Sequence, residues 1–327
     1  MMVKYVEYLR RKSNHDILSY GLGDWFDLGT KRPGVAQLTP VSLTATATYY
    51  YDVKLLGQMA GILKKTEEQK RFRKWEKAIK KAFNDRFFDI NKKSYATGSQ
   101  TAMSMPLCLG LVDKQYEKKV FNNLVDSIHT HGNILTAGDI GFHYLVEALT
   151  KGGASQLLFE MNNRDDVPGY GYQLKNGATS LTESWAALRN VSNNHLMLGH
   201  LMEWFYQGIG GIRQEVGSKG YKKIVIHPDV VGDITHAKTI FYSPYGKIKT
   251  EWRKTKNLFT LRMEIPVNTR STVYLPVYGK VSVNNEKEWP GRKTGFQYIG
   301  VKNGRMVYKT GSGSYEFKII PAVKSDK

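Results

Sequence analysis

The sequence predicts a protein of two domains, with helices in the first and β-strands in the second. The chain has 327 residues, which is too long for one small hydrophobic core and suggests roughly two domains. The pattern changes at the glycine-rich segment 208–211. Apolar residues recur every three or four positions before this segment and alternate with polar residues after it. We therefore assign residues 1–209 to a helical domain and residues 210–327 to a β-domain.

The first domain should consist of paired helices. The clearest is predicted over 41–63, where apolar residues follow helical spacing and Thr39-Pro40 provides a start signal. Further helices are predicted over 5–11, 67–83, 102–111, 116–129, 142–149, 154–161 and 195–207. Helices joined by alternating short and long loops are typical of an α/α solenoid or toroid. Such folds build their sites from loops at one end.

The second domain should be an antiparallel β-sandwich. Its apolar residues alternate with polar ones in short segments, which turn residues separate at regular intervals. The predicted strands lie in 223–227, 234–238, 247–252, 258–265, 271–276 and 311–317.

Composition excludes several classes of protein. With 41% hydrophobic and 12% aromatic residues, the chain is globular rather than disordered. No apolar run approaches the ~20 residues of a membrane span, and the amino terminus lacks the apolar core of a signal peptide. The single Cys108 cannot form an internal disulfide. A longer parent could still carry an export signal, so a periplasmic or secreted location stays open.

The net charge of +19 does not predict a nucleic-acid partner. Most of the excess lies in 210–327, where 22 basic residues accompany 9 acidic ones. These cations are scattered through strand-like segments, and no RNA-binding, zinc or helix-turn-helix signature accompanies them. The eight histidines also lack ligand-like spacing, so we predict neither a metal nor a cofactor.

The segment 176–185 is the strongest candidate for a functional site. It places Glu183 near Trp185 in a polar, glycine-containing loop, and His195 follows within a dozen residues. A carboxylate, an imidazole and an indole suit a carbohydrate, which offers hydroxyl groups for hydrogen bonds and flat C–H faces for stacking. In the alternative interpretation, Glu183 caps a helix that begins near Val191 and Trp185 belongs to the core.

Several motifs in order resemble the bacterial α-L-rhamnosidases of glycoside hydrolase family 78. Together they cover nearly the whole chain. They lie at 20–27 (YGLGDWFD), 45–51, 83–89, 98–102, 171–172, around Glu183, at 194–195, 243–246 and 265–269. The resemblance implies an (α/α)6 barrel and inverting glycoside hydrolysis by two carboxylates. With the pattern above, it predicts an incomplete (α/α)6 toroid followed by an antiparallel β-sandwich.

The resemblance also implies roles for individual residues. Glu183 matches the general base, which deprotonates the attacking water, and His195 matches a residue that hydrogen-bonds the sugar. Asp24 would accept hydrogen bonds from sugar hydroxyls, and Trp25 would form an apolar wall. Asp27 is a weaker candidate for substrate binding, with a structural role as its alternative.

Three further residues are candidate substrate contacts. Trp185 would shape the pocket beside Glu183, with core packing as an equal alternative. Gln100 and Tyr172 are secondary contacts. The expected ligand is a rhamnose-containing oligosaccharide or glycoside.

The general acid is the expected gap. In the family it belongs to an Asp-Cys-Pro-Gln-Arg-Glu type of segment upstream of the Gly-Asp-Trp loop, and nothing before Tyr20 resembles it. The chain is therefore expected to carry the base without the acid and to hydrolyse rhamnosides poorly alone. A candidate partner is the amino-terminal part of the same enzyme.

Two other functions stay open at this point. The chain could be a carbohydrate-binding remnant without turnover. It could also be another α/α-toroid glycosidase, such as an unsaturated glucuronyl hydrolase, or a lyase. Those enzymes would need basic or tyrosine residues facing a uronate, and the sequence places none convincingly.

Overall fold

The computed structural model describes residues 1–276, 279–284, 286–287 and 295–321. It divides into two compact units, Met1–His200 and Leu201–Lys327. The first unit is helical and the second is rich in β-strands, which confirms the predicted order of fold classes. No helix among the described residues is long and apolar enough to cross a membrane.

The first unit contains most of the predicted helices. They are α1 (Met2–Lys12), α2 (Val41–Ile62), α3 (Thr66–Phe87), α4 (Gln100–Leu109), α5 (Glu117–Thr130), α6 (Gly141–Lys151), α7 (Ser155–Asn162) and α8 (Tyr170–Lys175). A short hairpin of β1 (Phe88–Asp89) and β2 (Ser94–Tyr95) follows α3. The sequence patterns did not predict α8, which has only six residues.

The pair α2 and α3 shows how these helices form a core. Helix α2 buries a wide face, including Leu43, Ala47 and Val53, and exposes a narrower stripe that includes Tyr51 and Met59. Helix α3 buries only one face, with Phe72 and Ile79 on it, and leaves its lysines in solvent. Burial of each large apolar side chain contributes about 1.5–3 kcal/mol, so these faces hold the helices together.

The predicted helix 195–207 is a continuous helical stretch, but it is not one regular α-helix. Residues Leu196–His200 form a 3-10 turn, Leu201–Trp204 a single α-helical turn (α9), and Phe205–Ile209 a π-helical turn. Gly199 and Gly208 lie within this stretch, and glycine is among the poorest α-helix formers, so the apolar spacing alone did not sustain regular α-helical geometry.

The second unit contains two β-sheets. Its strands are β3 (Ile212–Gln214), β4 (Lys223–Ile226), β5 (His236–Ser243), β6 (Gly246–Lys254), β7 (Phe259–Ile265), β8 (Arg270–Leu275), β9 (Gly279–Val283), β10 (Glu286–Lys287), β11 (Phe296–Lys302), β12 (Arg305–Thr310) and β13 (Gly313–Pro321). One sheet has the order β10-β9-β13-β7-β6-β5 and the other β11-β12-β8-β4-β3. Their pairing is antiparallel except between β4 and β8, which run parallel.

Alternating burial along the strands builds the core of this unit. Trp252, Phe259 and Phe317 are almost fully buried, whereas their neighbours along each strand are more exposed. The rings of Tyr308 and Phe317, one from each sheet, have centroids 5.3 Å apart. The two sheets therefore face one another, as the two-residue periodicity predicts.

A buried ion cluster adds a polar contact to the second unit. The Asp229 carboxylate lies 2.9 Å from Nη2 of Arg213 and 3.0 Å from Nη2 of Arg305. Asp229 is only 5% exposed, so its charge is balanced by the two guanidinium groups rather than by water.

Candidate active site

The loop between α8 and the 3-10 turn folds back on itself and carries two of the predicted residues. The backbone N–H of Glu183 donates to the carbonyl of Ser192 at 2.9 Å, and that of His195 donates to the carbonyl of Leu181 at 2.9 Å. These bonds hold the segment around Glu183 beside the segment around His195. No helix begins near Val191, so the helix-capping interpretation of Glu183 is wrong.

The carboxylate of Glu183 is held at both oxygens and remains partly exposed. Its Oε1 accepts the indole N–H of Trp25 at 3.0 Å, and its Oε2 accepts the backbone N–H of Ser192 at 3.2 Å. The hydrogen bond from Trp25 is the main cause that lowers the pKa of Glu183. Partial burial opposes the shift, and the Ser192 amide and the charge of His195 add to it. The group is therefore an ionised carboxylate at neutral pH, as a general base must be.

Trp25 is the second predicted residue that the structure brings to Glu183. Its side chain is half-buried, and its backbone carbonyl accepts the N–H of Asp139 at 2.8 Å. The next residue, Phe26, adopts a φ of 60° and donates its N–H to Gly34 at 2.8 Å, which closes the loop. The indole is thereby fixed at both its ring nitrogen and its backbone.

Asp24 is not a sugar contact, contrary to the expectation from the sequence. It is only 1% exposed, and its carboxylate accepts hydrogen bonds from the Thr101 hydroxyl, the Gly138 amide at 2.9 Å and the Gly141 amide at 2.7 Å. Gly141 begins α6, so the carboxylate also lies at the positive end of that helix. Burial nevertheless raises the pKa of Asp24 to about 6, against the opposing effect of these hydrogen bonds.

Asp27 is likewise structural, and its predicted contact with substrate is wrong. It is fully buried and accepts the backbone N–H groups of Gln37 at 2.9 Å and Leu38 at 2.7 Å. Burial is the main cause that raises the pKa of Asp27, while these amides lower it. Asp24 and Asp27 together hold the loop that presents Trp25.

Trp185 belongs to the core rather than to a sugar pocket. It is 1% exposed, and its indole N–H donates to the carbonyl of Ala137 at 2.8 Å. Its ring packs edge-on against Phe142 and Tyr170, with centroid distances of 4.8 and 5.1 Å. The predicted contact with substrate is therefore wrong, and the alternative of core packing is correct.

Gln100 also supports the backbone instead of facing a ligand. It is 7% exposed, its Nε2 donates to the carbonyl of Ile134 at 2.7 Å, and its Oε1 accepts the Thr136 amide at 2.9 Å. Tyr172 lies half-buried on α8, and its role in binding stays a prediction.

His195 is paired with a carboxylate that the sequence patterns did not indicate. Its Nε2 lies 2.8 Å from Oδ2 of Asp139, whose side chain is 6% exposed, compared with 21% for His195. Burial raises the pKa of Asp139. The hydrogen bond and charge of His195 oppose this shift, and the charge of Glu183 adds to it. The signal that could have identified Asp139 is the segment Gly138-Asp139-Ile140-Gly141, a second carboxylate flanked by glycine before a helix.

The structure therefore brings together Glu183, Trp25, His195 and Asp139. An ionised, partly exposed carboxylate can take a proton from a water molecule. A partly exposed imidazole can hydrogen-bond a hydroxyl group, and an indole can line an apolar face of a ligand. These are the groups that an uncharged, hydroxyl-rich ligand requires.

Comparisons with known proteins match both units. The profile of the bacterial alpha-L-rhamnosidase 6 hairpin glycosidase domain matches residues 1–209, and that of the bacterial alpha-L-rhamnosidase C-terminal domain matches residues 211–289. An alpha-L-rhamnosidase of Formosa agariphila is 27% identical over 97% of the chain, and one of Streptomyces avermitilis is 27% identical over 91%. The chain spans 35% and 28% of these two relatives, so it corresponds to about a third of their length.

Solved structures agree with these matches. The alpha-L-rhamnosidase from Dictyoglumus thermophilum superimposes with a TM-score of 0.86 at 31% identity, covering 98% of this chain and 36% of that one. The Streptomyces avermitilis alpha-L-rhamnosidase complexed with L-rhamnose gives a TM-score of 0.83 at 26% identity, covering 97% of this chain and 30% of that one.

Proposed function

The chain belongs to the bacterial α-L-rhamnosidases with a six-hairpin glycosidase domain, and on this premise we propose that its Glu183 site hydrolyses terminal, non-reducing α-L-rhamnosides. Membership of this glycosidase family confirms the resemblance stated from the sequence. The observation that carries the proposal is the Glu183 carboxylate, ionised, partly exposed, and fixed by the Trp25 indole beside His195. A Streptomyces avermitilis relative that binds L-rhamnose supports rhamnose as the sugar.

Glu183 acts as the general base in an inverting hydrolysis. Each of its oxygens accepts one protein hydrogen bond, which leaves lone pairs to orient and deprotonate a water molecule. That water attacks the anomeric carbon from the face opposite the leaving group. His195 hydrogen-bonds a hydroxyl group of the rhamnose, and the ring of Trp25 lines an apolar face of the sugar.

We assign the general acid to a segment outside these 327 residues. An inverting pair of carboxylates stands roughly 6.5–9.5 Å apart, and the acid needs an oxygen that reaches the leaving group. Asp139 does not suit this role because its Oδ2 is bound to His195 and its Oδ1 is buried. Without the acid, the leaving oxygen departs unprotonated, which slows hydrolysis of ordinary glycosides by about 10²–10⁴-fold.

An activated substrate tests the base separately from the acid. The 2,4-dinitrophenyl group leaves without protonation, so 2,4-dinitrophenyl α-L-rhamnoside should depend on Glu183 alone. We expect Glu183→Gln to slow its hydrolysis about 10²–10⁴-fold while L-rhamnose binding, measured by calorimetry, is nearly retained. The matched control Glu117→Gln changes an exposed glutamate of α5 and should have no effect.

The outcomes separate hydrolysis from binding alone. Equal rates for the wild type and Glu183→Gln would contradict the role of Glu183 as base. Rhamnose binding without any turnover of the activated substrate would replace hydrolysis by a carbohydrate-binding function, the alternative that the sequence left open.

A further inference from the structure

Asp139 hydrogen-bonds two residues that lie beside Glu183, namely Trp25 and His195. The backbone N–H of Asp139 donates to the carbonyl of Trp25 at 2.8 Å, and the indole of Trp25 donates to Glu183 at 3.0 Å. The Asp139 carboxylate binds the His195 ring at 2.8 Å, and the His195 backbone binds Leu181 at 2.9 Å, two residues before Glu183. Asp139 thus contacts both His195 and the residue whose indole binds Glu183.

The hydrogen bonds of Asp139 differ from those of the other buried carboxylates of this unit. Asp24 and Asp27 each accept several backbone or hydroxyl donors, as a carboxylate that stabilises a fold normally does. Asp139 is 5% exposed, yet its Oδ1 is buried without a hydrogen-bond partner and its Oδ2 binds only the ring of His195. Burying a carboxylate with one partner is costly, and such an arrangement is typical of a functional site.

We propose that Asp139 is a positioning residue, which fixes the orientation and tautomer of His195 so that Nδ1 of the ring faces the bound sugar. The inference rests on the proposed function, in which His195 contacts the rhamnose. An ionised carboxylate can only accept hydrogen bonds, so Nε2 of His195 must carry a proton. In the neutral ring, Nδ1 is then the acceptor. It has no protein hydrogen-bond partner among the residues that the structure describes.

The consequence is a defined polarity at the sugar site. Neutral His195 presents a lone pair at Nδ1, which accepts a hydrogen bond from a rhamnose hydroxyl. An amide in place of the carboxylate could donate to Nε2 as well as accept from it, and would allow the opposite tautomer. In that tautomer Nδ1 carries the proton, so the ring no longer accepts from the hydroxyl.

The tautomer can be measured directly in the whole 327-residue chain. Protein labelled with ¹⁵N-histidine gives long-range ¹H–¹⁵N spectra that distinguish protonated from unprotonated ring nitrogens, and His195→Gln identifies the signals of His195. In the wild type we expect a proton on Nε2 and none on Nδ1 when the ring is neutral. In Asp139→Asn we expect a mixed or inverted tautomer. The control Asp27→Asn changes another buried aspartate of the first unit and should leave the His195 tautomer unchanged.

Titration with L-rhamnose completes the test. Asp139→Asn should bind L-rhamnose about tenfold more weakly than the wild type, because one hydrogen bond to the sugar is lost. The thermal stability of Asp139→Asn is compared with that of Asp27→Asn. Wild-type affinity and an unchanged tautomer in Asp139→Asn would overturn the positioning role. Equal losses of affinity in both variants, with the tautomer retained, would assign Asp139 to folding alone. No binding of L-rhamnose by the wild type would instead overturn the proposed function, and the inference with it.

Discussion

The buried carboxylate of Asp24 should make the helical unit less stable as the pH rises towards neutrality, the reverse of the usual behaviour of an aspartate. Burial raises its pKa from 3.8 to about 6 although three donors contact it. The folded state therefore binds the proton more tightly than the unfolded state does. The stabilisation is fully present below about pH 4 and is lost as the pH rises through about 6.

The size of the effect follows from the two pKa values. A difference of one pKa unit corresponds to about 1.4 kcal/mol, so a rise from 3.8 to about 6 corresponds to a loss of about 3 kcal/mol. Asp24→Asn removes this titration. Because other groups titrate in both proteins, the quantity to measure is the free energy of unfolding of the wild type minus that of the variant.

Urea unfolding, followed by far-ultraviolet circular dichroism at several pH values, provides this difference. Between pH 4 and pH 7 it should fall by about 2.4 kcal/mol, most of the full effect, since only the wild type must ionise a buried group. Asp89→Asn is a control of opposite sign. The backbone N–H of Lys92 is the main cause that lowers the pKa of Asp89, so the corresponding difference should increase as the pH rises towards and past the ordinary value of 3.8, and urea unfolding below pH 4 shows it. A difference for Asp24 that stays constant or increases with pH would refute the reasoning.

Three further substitutions, with Trp185→Phe as a control for the first, test the site and the β-unit. Trp25→Phe removes the donor that lowers the pKa of Glu183, so the acidic limb of the pH–rate profile for the activated rhamnoside should move to higher pH. Trp185→Phe, which removes an indole donor to a backbone carbonyl, should leave that limb in place. Asp229→Asn leaves two partly buried guanidinium groups without their carboxylate and should lower the free energy of unfolding of the β-unit by up to about 3 kcal/mol, measured with urea. Gly138→Ala places a Cβ against the carbonyl of Trp25, which should destabilise the helical unit by about 1–3 kcal/mol and weaken rhamnose binding in calorimetry.

The helices and strands were predictable wherever the buried apolar residues recur at the regular spacing of a helix or a strand. Helix α2 begins at Val41 as predicted and ends one residue earlier than expected. Its position was predictable because the apolar spacing lies within the helix and the proline start signal directly precedes it. The region 195–207 had similar apolar spacing and is helical, but it contains two glycines, which are poor α-helix formers, and it passes from 3-10 to α to π geometry. Local pattern thus predicts an element when propensity and periodicity agree.

The site residues were predictable only in part. Glu183 was selected by the polar loop that carries it, and its role as base by the resemblance to a family; the structure holds it beside Trp25 and His195 through hydrogen bonds. Asp24 has the residue type and loop position of a ligand contact, yet its carboxylate is buried and accepts hydrogen bonds from backbone amides of the protein. No sequence motif marked Asp139, which is nevertheless the partner of His195.

Periodicity in the amino-acid sequence was sufficient for the order of the two fold classes, because the burial of a helix or strand face depends on neighbours a few positions away. Tertiary structure alone decided which carboxylates are free to act. The carboxylate of Asp24 accepts hydrogen bonds from the amides of Gly138 and Gly141, more than a hundred residues away. Glu183 accepts only two donors and stays partly exposed. A carboxylate acts as a base only if lone pairs remain for water, and distant donors determine how many remain.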